Sequence, residues 1–160
     1  MVYARKVAFP VGPLLLLSNR DELTGVYFED HRRGPVAAAE WVFGSDVPIL
    51  RRAEEQLRAY FDGVLREFDL PLCLEGTEFQ REVWHELLDV PYGTTTTYGA
   101  LARCLGRPDA VRAVAGAIAR NPISIIIPCH RVVGTRGCLT GYAGGTDRKR
   151  YLLDFELRCS

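Results

Sequence analysis

The chain has 160 residues, of which 48% are hydrophobic and 25% are charged, as in an ordinary globular protein. Its apolar runs are far shorter than the ~18 residues that a membrane helix needs, so we expect no membrane association. Five cysteines form an odd set without C-x-x-C spacing, which argues against both a zinc ribbon and a disulfide framework. This cysteine usage favours a reducing compartment, and we therefore expect a cytoplasmic protein.

Charge is unevenly distributed, although the formal net charge is zero. Residues 1–96 carry 10 Lys and Arg against 16 Asp and Glu, whereas residues 97–150 carry 9 against 2. A basic second half is typical of proteins that contact a polyanion such as nucleic acid. Attraction between an acidic half and a basic half would explain the same numbers, so both interpretations stay open.

Three short apolar stretches open the chain, and turn residues separate them. Residues 2–9, 13–18 and 23–29 are predicted to be antiparallel strands. Residues 48–62 are predicted to form a helix with one apolar face, made of Ile49, Ala53, Leu57, Tyr60 and Phe61. Residues 1–76 are thus predicted to be a small N-terminal α/β domain that ends in a linker.

Residues 77–160 are predicted to form a second, mostly helical domain, so that the fold class is α+β. Thr77 and Gln80 make a capping box before an apolar helical stripe of Phe79, Val83, Trp84 and Leu87. Residues 97–104 and 109–119 have the spacing of a helix–turn–helix. The apolar residues 125–127 indicate a buried strand, residues 134–145 form a glycine-rich loop, and a last helix is capped near Thr146.

Cys129, His130 and Arg131 follow the predicted buried strand. A cysteine is nucleophilic only as a thiolate, and a nearby imidazole or positive charge lowers its pKa. Adjacent side chains of an extended chain point to opposite faces, so His130 would reach Cys129 only through a water or a turn. A buried, inert cysteine is the alternative.

Glu156 is the candidate third member of this group. It follows Leu152 and Leu153 by four and three residues on the last predicted helix, which places it on or beside a buried stripe. A carboxylate there needs a partner. A carboxylate that orients an imidazole, which in turn activates a thiol, is the general form of a catalytic triad. A solvated glutamate near a helix end is the alternative.

Two further features favour a nucleic-acid ligand. Arg112 is the one long polar side chain on a predicted helix of Ala, Val and Gly, and small side chains allow close approach to a groove or to the protein core. Tyr98, Tyr142 and the five glycines of residues 134–145 would suit a planar base, whereas an ordinary surface loop is the alternative.

Together these segments resemble the O6-alkylguanine-DNA alkyltransferases, the methylated-DNA–protein-cysteine methyltransferases. The resemblance rests on IPCHRVV at residues 127–133. Other motifs extend it in family order over residues 77–157, namely Thr97-Tyr98-Gly99, Arg112-Ala113-Val114, Asn121-Pro122, residues 141–145 and Leu152-Leu153 with Glu156. Residues 1–76 match the family only in outline.

The resemblance implies a single-use DNA repair protein. It would move the alkyl group of O6-alkylguanine, and less well that of O4-alkylthymine, irreversibly to Cys129. His130 would take the thiol proton through a water, and Glu156 would orient His130. Tyr98 would donate a hydrogen bond to N3 of the base, and Asn121 would hold the hinge before the active-site segment.

The resemblance also implies how DNA is bound. The family docks residues 109–119 in the minor groove and flips the damaged base, with Arg112 as the finger that replaces it. The other implied DNA-contacting residues are Ala113, Thr135 and Arg136, and the base pocket would comprise Val132, Tyr142 and Ala143. The Ala143 N–H would face O6, and the carbonyls of Cys129 and Val132 would receive the exocyclic amine.

The implied partner is double-stranded DNA that carries O6-alkylguanine, bound by a monomer without a cofactor, nucleoid-associated in a prokaryote. Some family members hold a structural zinc through N-terminal Cys and His. Residues 1–76 offer only Cys73 and His31, so we expect no metal. Two rival functions remain, a non-catalytic helix–turn–helix module and a Cys-His hydrolase.

Overall fold

The computed structural model describes residues 1–29, 40–139 and 141–160. Its strands are β1 (Tyr3–Phe9), β2 (Gly12–Ser18), β3 (Leu23–Phe28), β4 (Val42–Phe43), β5 (Thr96–Thr97) and β6 (Val132–Val133). Its α-helices are α1 (Pro48–Phe61), α2 (Glu78–Leu88), α3 (Tyr98–Cys104), α4 (Val111–Ala119) and α5 (Thr146–Arg158). The fold is of the predicted α+β class.

The first three strands form an antiparallel meander. β1 pairs with β2 from Tyr3 opposite Ser18 to Phe9 opposite Gly12, and β2 pairs with β3. In the part of the chain that the structure describes, β4 adds in parallel to β1, and the sheet has the order β3-β2-β1-β4. The three predicted strands are confirmed. β4 was not predicted because two residues carry too little pattern, and the expected break at residues 31–35 lies outside the described residues.

Helix α1 packs on this sheet through the predicted face. All five predicted face residues are buried, and Leu50 is buried beside them. Pro48 begins the helix, where its missing N–H needs no partner. Burial of each large apolar side chain contributes roughly 1.5–3 kcal/mol, so this face holds α1 firmly to the sheet.

Helix α2 begins with the predicted capping box. The Gln80 N–H donates to the Thr77 hydroxyl at 3.1 Å, and the Thr77 N–H donates to the Gln80 side chain at 3.0 Å. Trp84 is buried, and its indole N–H donates to the Ala117 carbonyl at 2.8 Å, which ties α2 to α4. Phe79, also assigned to the apolar stripe, is only partly buried and lies under the Arg107 guanidinium.

Helices α3 and α4 form the predicted helix–turn–helix. Thr97 caps α3 by accepting the Ala100 N–H at 3.1 Å. The second helix begins at Val111 and not at residue 109, because the Ala110 N–H bonds to the Arg107 carbonyl at 2.9 Å and thereby extends the turn.

The predicted strand over residues 125–127 is wrong. All three isoleucines are buried, as expected, but the backbone folds into turns, and the Ile127 N–H returns to the Ile123 carbonyl at 3.0 Å. Ile125 has φ of 72°, a left-handed conformation that a β-branched residue rarely adopts. The Asn121 side chain accepts the Ile123 N–H and donates to the Ile127 carbonyl, both at 2.9 Å, and so folds the segment back on itself.

The two halves of the chain meet at β3. The Val26 N–H donates to the Pro122 carbonyl at 2.9 Å, and the Ser124 N–H donates to the Val26 carbonyl at 3.1 Å. The segment before Cys129 thus lies along the edge of the N-terminal sheet. The division after residue 76 stays a prediction.

Helix α5 starts at Thr146 as expected, but the N-cap residue is Gly145, which makes no side-chain cap. Its φ of 92° is one that glycine adopts readily. Among the described residues, no helix has the length and apolar character needed to cross a membrane.

Candidate active site

The candidate nucleophile lies in a single turn between buried segments. Cys129–Arg131 form a 3-10 turn, after which β6 pairs in parallel with β5. Because β5 leads directly into α3, this pairing sets the cysteine turn beside the start of the helix–turn–helix. Cys129 is 5% exposed. The chain is not extended at Cys129 and His130, and a turn, one of the two alternatives left open by the sequence, relates their side chains.

Glu156 is the centre of a buried hydrogen-bond network. It is fully buried on α5, and its Oε2 atom lies 2.7 Å from Nε2 of His130. The Arg131 guanidinium binds both carboxylate oxygens, with Nε donating to Oε1 at 2.8 Å and a terminal nitrogen donating to Oε2 at 2.9 Å. The Tyr60 hydroxyl donates to Oε2 at 2.6 Å, and the Gly93 N–H donates to Oε1 at 3.3 Å.

These partners decide the charge of Glu156. Burial alone would raise the pKa of a carboxyl, but the hydrogen bonds from His130 and Arg131, together with the positive charge of Arg131, hold the pKa of Glu156 far below its usual 4.5. The group is therefore a carboxylate at neutral pH. The alternative of a solvated glutamate near a helix end does not apply, because the side chain is buried and fully partnered.

His130 is arranged to accept a proton. Burial lowers its pKa below the usual 6.5, against the pull of Glu156, and Arg131 adds to the lowering. Since Arg131 already balances the carboxylate, the imidazole is neutral at neutral pH and donates Nε2–H to Glu156. Its Nδ1 atom is buried and has no hydrogen-bond partner among the described residues. In this tautomer Nδ1 carries the free lone pair and is the basic atom.

Cys129 needs such a base. Burial raises the pKa of its thiol to about 11, although the Asn121 side-chain amide and the Lys149 charge act in the opposite direction. At neutral pH the sulfur is therefore protonated. A thiol in this setting reacts only when a neighbouring group takes its proton as the attack proceeds.

One candidate base-pocket residue, Tyr142, belongs to the glycine-rich loop. Tyr142 is buried, its ring meets Phe28 edge-on, and its hydroxyl has no hydrogen-bond partner in the described part of the chain. At Gly144 an added Cβ would lie 2.6 Å from the Phe28 ring, so only glycine fits there. A Cβ at Gly141 would lie 3.3 Å from the Tyr98 hydroxyl, which places the loop against the first residue of α3.

The remaining pocket candidates differ in exposure. Val132 is buried in β6, and its N–H donates to the Cys129 carbonyl, which leaves one lone pair of that oxygen for another donor. Ala143 is half-buried in the loop.

The candidate DNA-contacting residues lie on the surface. Arg112 and Ala113 are exposed in the first turn of α4, and Thr135 and Arg136 are exposed in a 3-10 turn over Thr135–Gly137. Arg136 has φ of 62°. The structure thus places these four side chains at the surface and the Cys129 group in the interior, and β6 connects the Cys129–Arg131 turn to the turn that holds Thr135 and Arg136.

Three site residues escaped the sequence-based assignment. The sequence indicates Arg131 only as an aid to the thiol and Tyr60 only as a core residue. Lys149 is 1% exposed, its ammonium lies 5.9 Å above the Tyr98 ring, and burial lowers its pKa to about 8. Its position seven residues before Glu156 on the same helix face could have identified it.

Within residues 1–29, 40–139 and 141–160, no three His, Cys, Asp or Glu side chains are grouped as ligands of a metal ion. Cys73 is half-buried, and His31 lies outside the described residues.

Two family models match this chain, one in each half. Residues 78–158 match the DNA-binding domain of 6-O-methylguanine DNA methyltransferase, and residues 2–74 match its ribonuclease-like domain. A methylated-DNA–protein-cysteine methyltransferase of Methanosarcina acetivorans is 47% identical over 94% of this chain and 95% of its own length. The enzyme of that name from Mycobacterium tuberculosis is 46% identical over 98% of this chain and 93% of its own.

The fold agrees with these matches. The crystal structure of Mycobacterium tuberculosis OGT in complex with DNA superposes with a TM-score of 0.92 at 44% identity, over 99% of this chain and 94% of that chain. Since both halves match and nearly the whole length is shared, the chain belongs to the 6-O-methylguanine DNA methyltransferase family of methylated-DNA–protein-cysteine methyltransferases.

Proposed function

We propose that this protein repairs duplex DNA by moving the alkyl group of O6-alkylguanine, and less efficiently that of O4-alkylthymine, to its own Cys129. The observation that carries the proposal is the buried group of Cys129, a neutral His130 and an ionised Glu156, next to an exposed helix–turn–helix. Relatives named for methylated DNA and for a protein cysteine support it.

The proposed reaction is one displacement. A water passes the thiol proton of Cys129 to Nδ1 of His130, and the sulfur attacks the saturated carbon of the alkyl group. The bond from that carbon to O6 breaks, and its electron pair goes to the guanine ring. Tyr98 donates a hydrogen bond to N3 of the ring, which relieves the developing negative charge.

The product explains why the protein acts once. The sulfur and the alkyl carbon are joined in a thioether, which no neighbouring group can hydrolyse. Glu156 remains a carboxylate throughout, because Arg131 and Tyr60 hold both its charge and its position. It orients His130 and stabilises the imidazolium that forms.

Access to O6 requires the base to leave the stack, since that atom lies inside the base pair. We propose that α4 docks in the minor groove and that Arg112 occupies the space of the flipped nucleotide. The small side chain of Ala113 allows α4 to approach the DNA closely. Thr135 and Arg136 contact the DNA backbone from the Thr135–Gly137 turn. The exposure of all four side chains supports this arrangement.

The flipped base would enter the pocket beneath the glycine-rich loop. Tyr142 and Val132 would line it, the Ala143 N–H would face O6, and the carbonyls of Cys129 and Val132 would receive the exocyclic amine. Asn121 would keep the segment before Cys129 in place, because its amide bridges Ile123 and Ile127. A monomer that meets one lesion at a time suffices for this chemistry.

The test is the fate of the lesion in DNA. A duplex with one O6-methylguanine is incubated with protein, digested to nucleosides and quantified. Repair predicts guanine in place of the lesion, at one lesion per protein molecule, and no conversion by Cys129→Ser. A non-catalytic module would bind the duplex and leave the lesion intact, and a hydrolase would instead turn over an ester repeatedly.

A further inference from the structure

Tyr60 belongs to the N-terminal helix α1, yet its hydroxyl reaches the candidate active site. Its side chain is 0% exposed, and the hydroxyl donates to Oε2 of Glu156 at 2.6 Å, across 96 residues of sequence. This bond brings a side chain from the first half of the chain into contact with the group that orients His130.

Packing alone does not account for the hydroxyl. The Tyr60 ring lies in an aromatic cluster with centroid distances of 5.1–6.1 Å, to Phe61, Phe68, Tyr92 and Phe155. A phenylalanine ring would fill the same space without placing a polar atom in the interior. Burial and the nearby Glu156 charge raise the pKa of Tyr60 far above its usual 10.0, so this phenol remains a donor at every physiological pH.

Three donors converge on one carboxylate oxygen. Oε2 of Glu156 accepts from Tyr60, from His130 Nε2 and from Arg131, at 2.6, 2.7 and 2.9 Å. Every additional donor withdraws charge from the oxygen that His130 faces. The attraction between Oε2 of Glu156 and a protonated His130, which raises the pKa of His130, is thereby reduced.

We propose that Tyr60 is a positioning residue that sets the basicity of His130 through Glu156. This inference rests on the proposed function, in which His130 accepts the Cys129 proton. During that transfer Tyr60 keeps its own proton and Glu156 stays ionised. With the hydroxyl present, His130 is neutral at neutral pH and can accept the Cys129 proton. The N-terminal half of the protein thereby influences the rate of the reaction.

The direction of the effect follows from the charges around His130. Glu156 and Arg131 face His130 directly, and the charge of Lys149 also acts on it. Without the Tyr60 hydroxyl, Oε2 bears more charge and stabilises imidazolium, so the pKa of His130 rises. More of the base is then protonated near neutrality and cannot accept the thiol proton.

The experiment compares methyl-transfer rates of Tyr60→Phe and wild-type protein from acid to alkaline pH. We expect the acid limb of the rate profile to move up by roughly half a unit to one unit, which is less than the ~1–2 units that one hydrogen bond to a charged group is worth, because Tyr60 acts on His130 only through Glu156. The rate should be several-fold lower near the limb and should recover at high pH. Tyr3→Phe, which removes the hydroxyl of another buried tyrosine of the N-terminal half, should leave the profile unchanged.

A second variant changes donor strength and keeps the hydroxyl. 3-Fluorotyrosine at position 60 is a stronger acid and a stronger donor, so it should move the acid limb to lower pH. In parallel, the pKa of His130 is measured by NMR in each protein, a readout that needs no methyl transfer. It should rise in Tyr60→Phe and fall in the fluorinated protein.

The outcomes separate the two claims. Unchanged profiles and an unchanged His130 pKa overturn the role of Tyr60, and so does a loss of rate that is equal at every pH. If the wild-type protein takes up no methyl group but the pKa of His130 differs between wild type and Tyr60→Phe, the proposed function is overturned. The electrostatic effect of Tyr60 on His130 is then still supported.

Discussion

Removal of the Arg131 guanidinium tests the electrostatics of the candidate site. Arg131→Met keeps much of the side-chain volume but leaves the Glu156 carboxylate buried without its main opposite charge. Two hydrogen bonds to Glu156, at 2.8 and 2.9 Å, and one to the Val90 carbonyl, at 2.8 Å, are lost together.

The expected cost follows from this geometry. Removing one partner of a buried ion pair costs about 3–5 kcal/mol. A domain of this kind has a free energy of unfolding of roughly 5–15 kcal/mol, so the variant would lose a large fraction of it. With a urea m-value of about 2 kcal/mol per M, the midpoint of unfolding should fall by about 2 M.

The assay is urea unfolding at pH 7 of wild type, Arg131→Met, Glu156→Gln and the double variant. Because the double variant has no unpaired buried charge, its loss should be smaller than the sum of the single losses by at least about 1 kcal/mol. A loss below about 1 kcal/mol in Arg131→Met, or additive losses across the cycle, would refute the assigned pairing.

Three other predictions concern pH, DNA and catalysis. The pKa of Glu156 is depressed in the folded protein, so the stabilising effect of its carboxylate is complete above the ordinary pKa of 4.5 and is lost as pH falls below that value. From pH 6 to 3, the free energy of unfolding in urea should fall more steeply for wild type than for Glu156→Gln, and parallel curves would contradict this. Arg112→Ala should slow duplex repair by at least about tenfold and leave reaction with the free alkylated base nearly unchanged, because base extrusion costs a few kcal/mol. The control is Arg120→Ala, which alters an exposed arginine at the far end of α4, and equal losses of Arg112→Ala in both assays would exclude the finger role. Tyr98→Phe should slow methyl transfer by roughly 10²-fold, typical of a lost proton donor, at unchanged DNA affinity measured by titration, and an equal loss of binding would show that the role is wrong.

Local patterns predicted the elements whose structure depends on near neighbours. The short apolar stretches of the first three strands, the apolar face of α1 and the capping box of Thr77 and Gln80 all involve residues within a few positions of each other. Structure predicted from such short-range patterns is retained in the folded chain because packing and local preference favour the same conformation.

The errors occur where specific side-chain contacts, which the pattern of apolar residues does not reveal, determine the structure. An apolar run such as residues 125–127 indicates burial but does not distinguish a strand from a turn. Its conformation depends on the two hydrogen bonds of the Asn121 amide. Arg131 and Tyr60 lie 25 and 96 residues from Glu156, and no local pattern connects such positions.

Two independent features of the sequence indicate Glu156 as part of the candidate site. The buried stripe of α5 indicated that its carboxylate needs a partner, and the resemblance over residues 77–157 named that partner as His130. The hydrogen bond of 2.7 Å between them agrees with both.

The central claim is that Cys129 is the alkyl acceptor. The most direct measurement is the mass of the intact protein after reaction with a duplex that carries O6-methylguanine, followed by fragmentation to locate the added group. We predict one methyl group per chain, on Cys129, also in a Cys138→Ala variant that lacks an exposed cysteine. An unchanged mass at full DNA binding, or a methyl group on another residue, would contradict the claim.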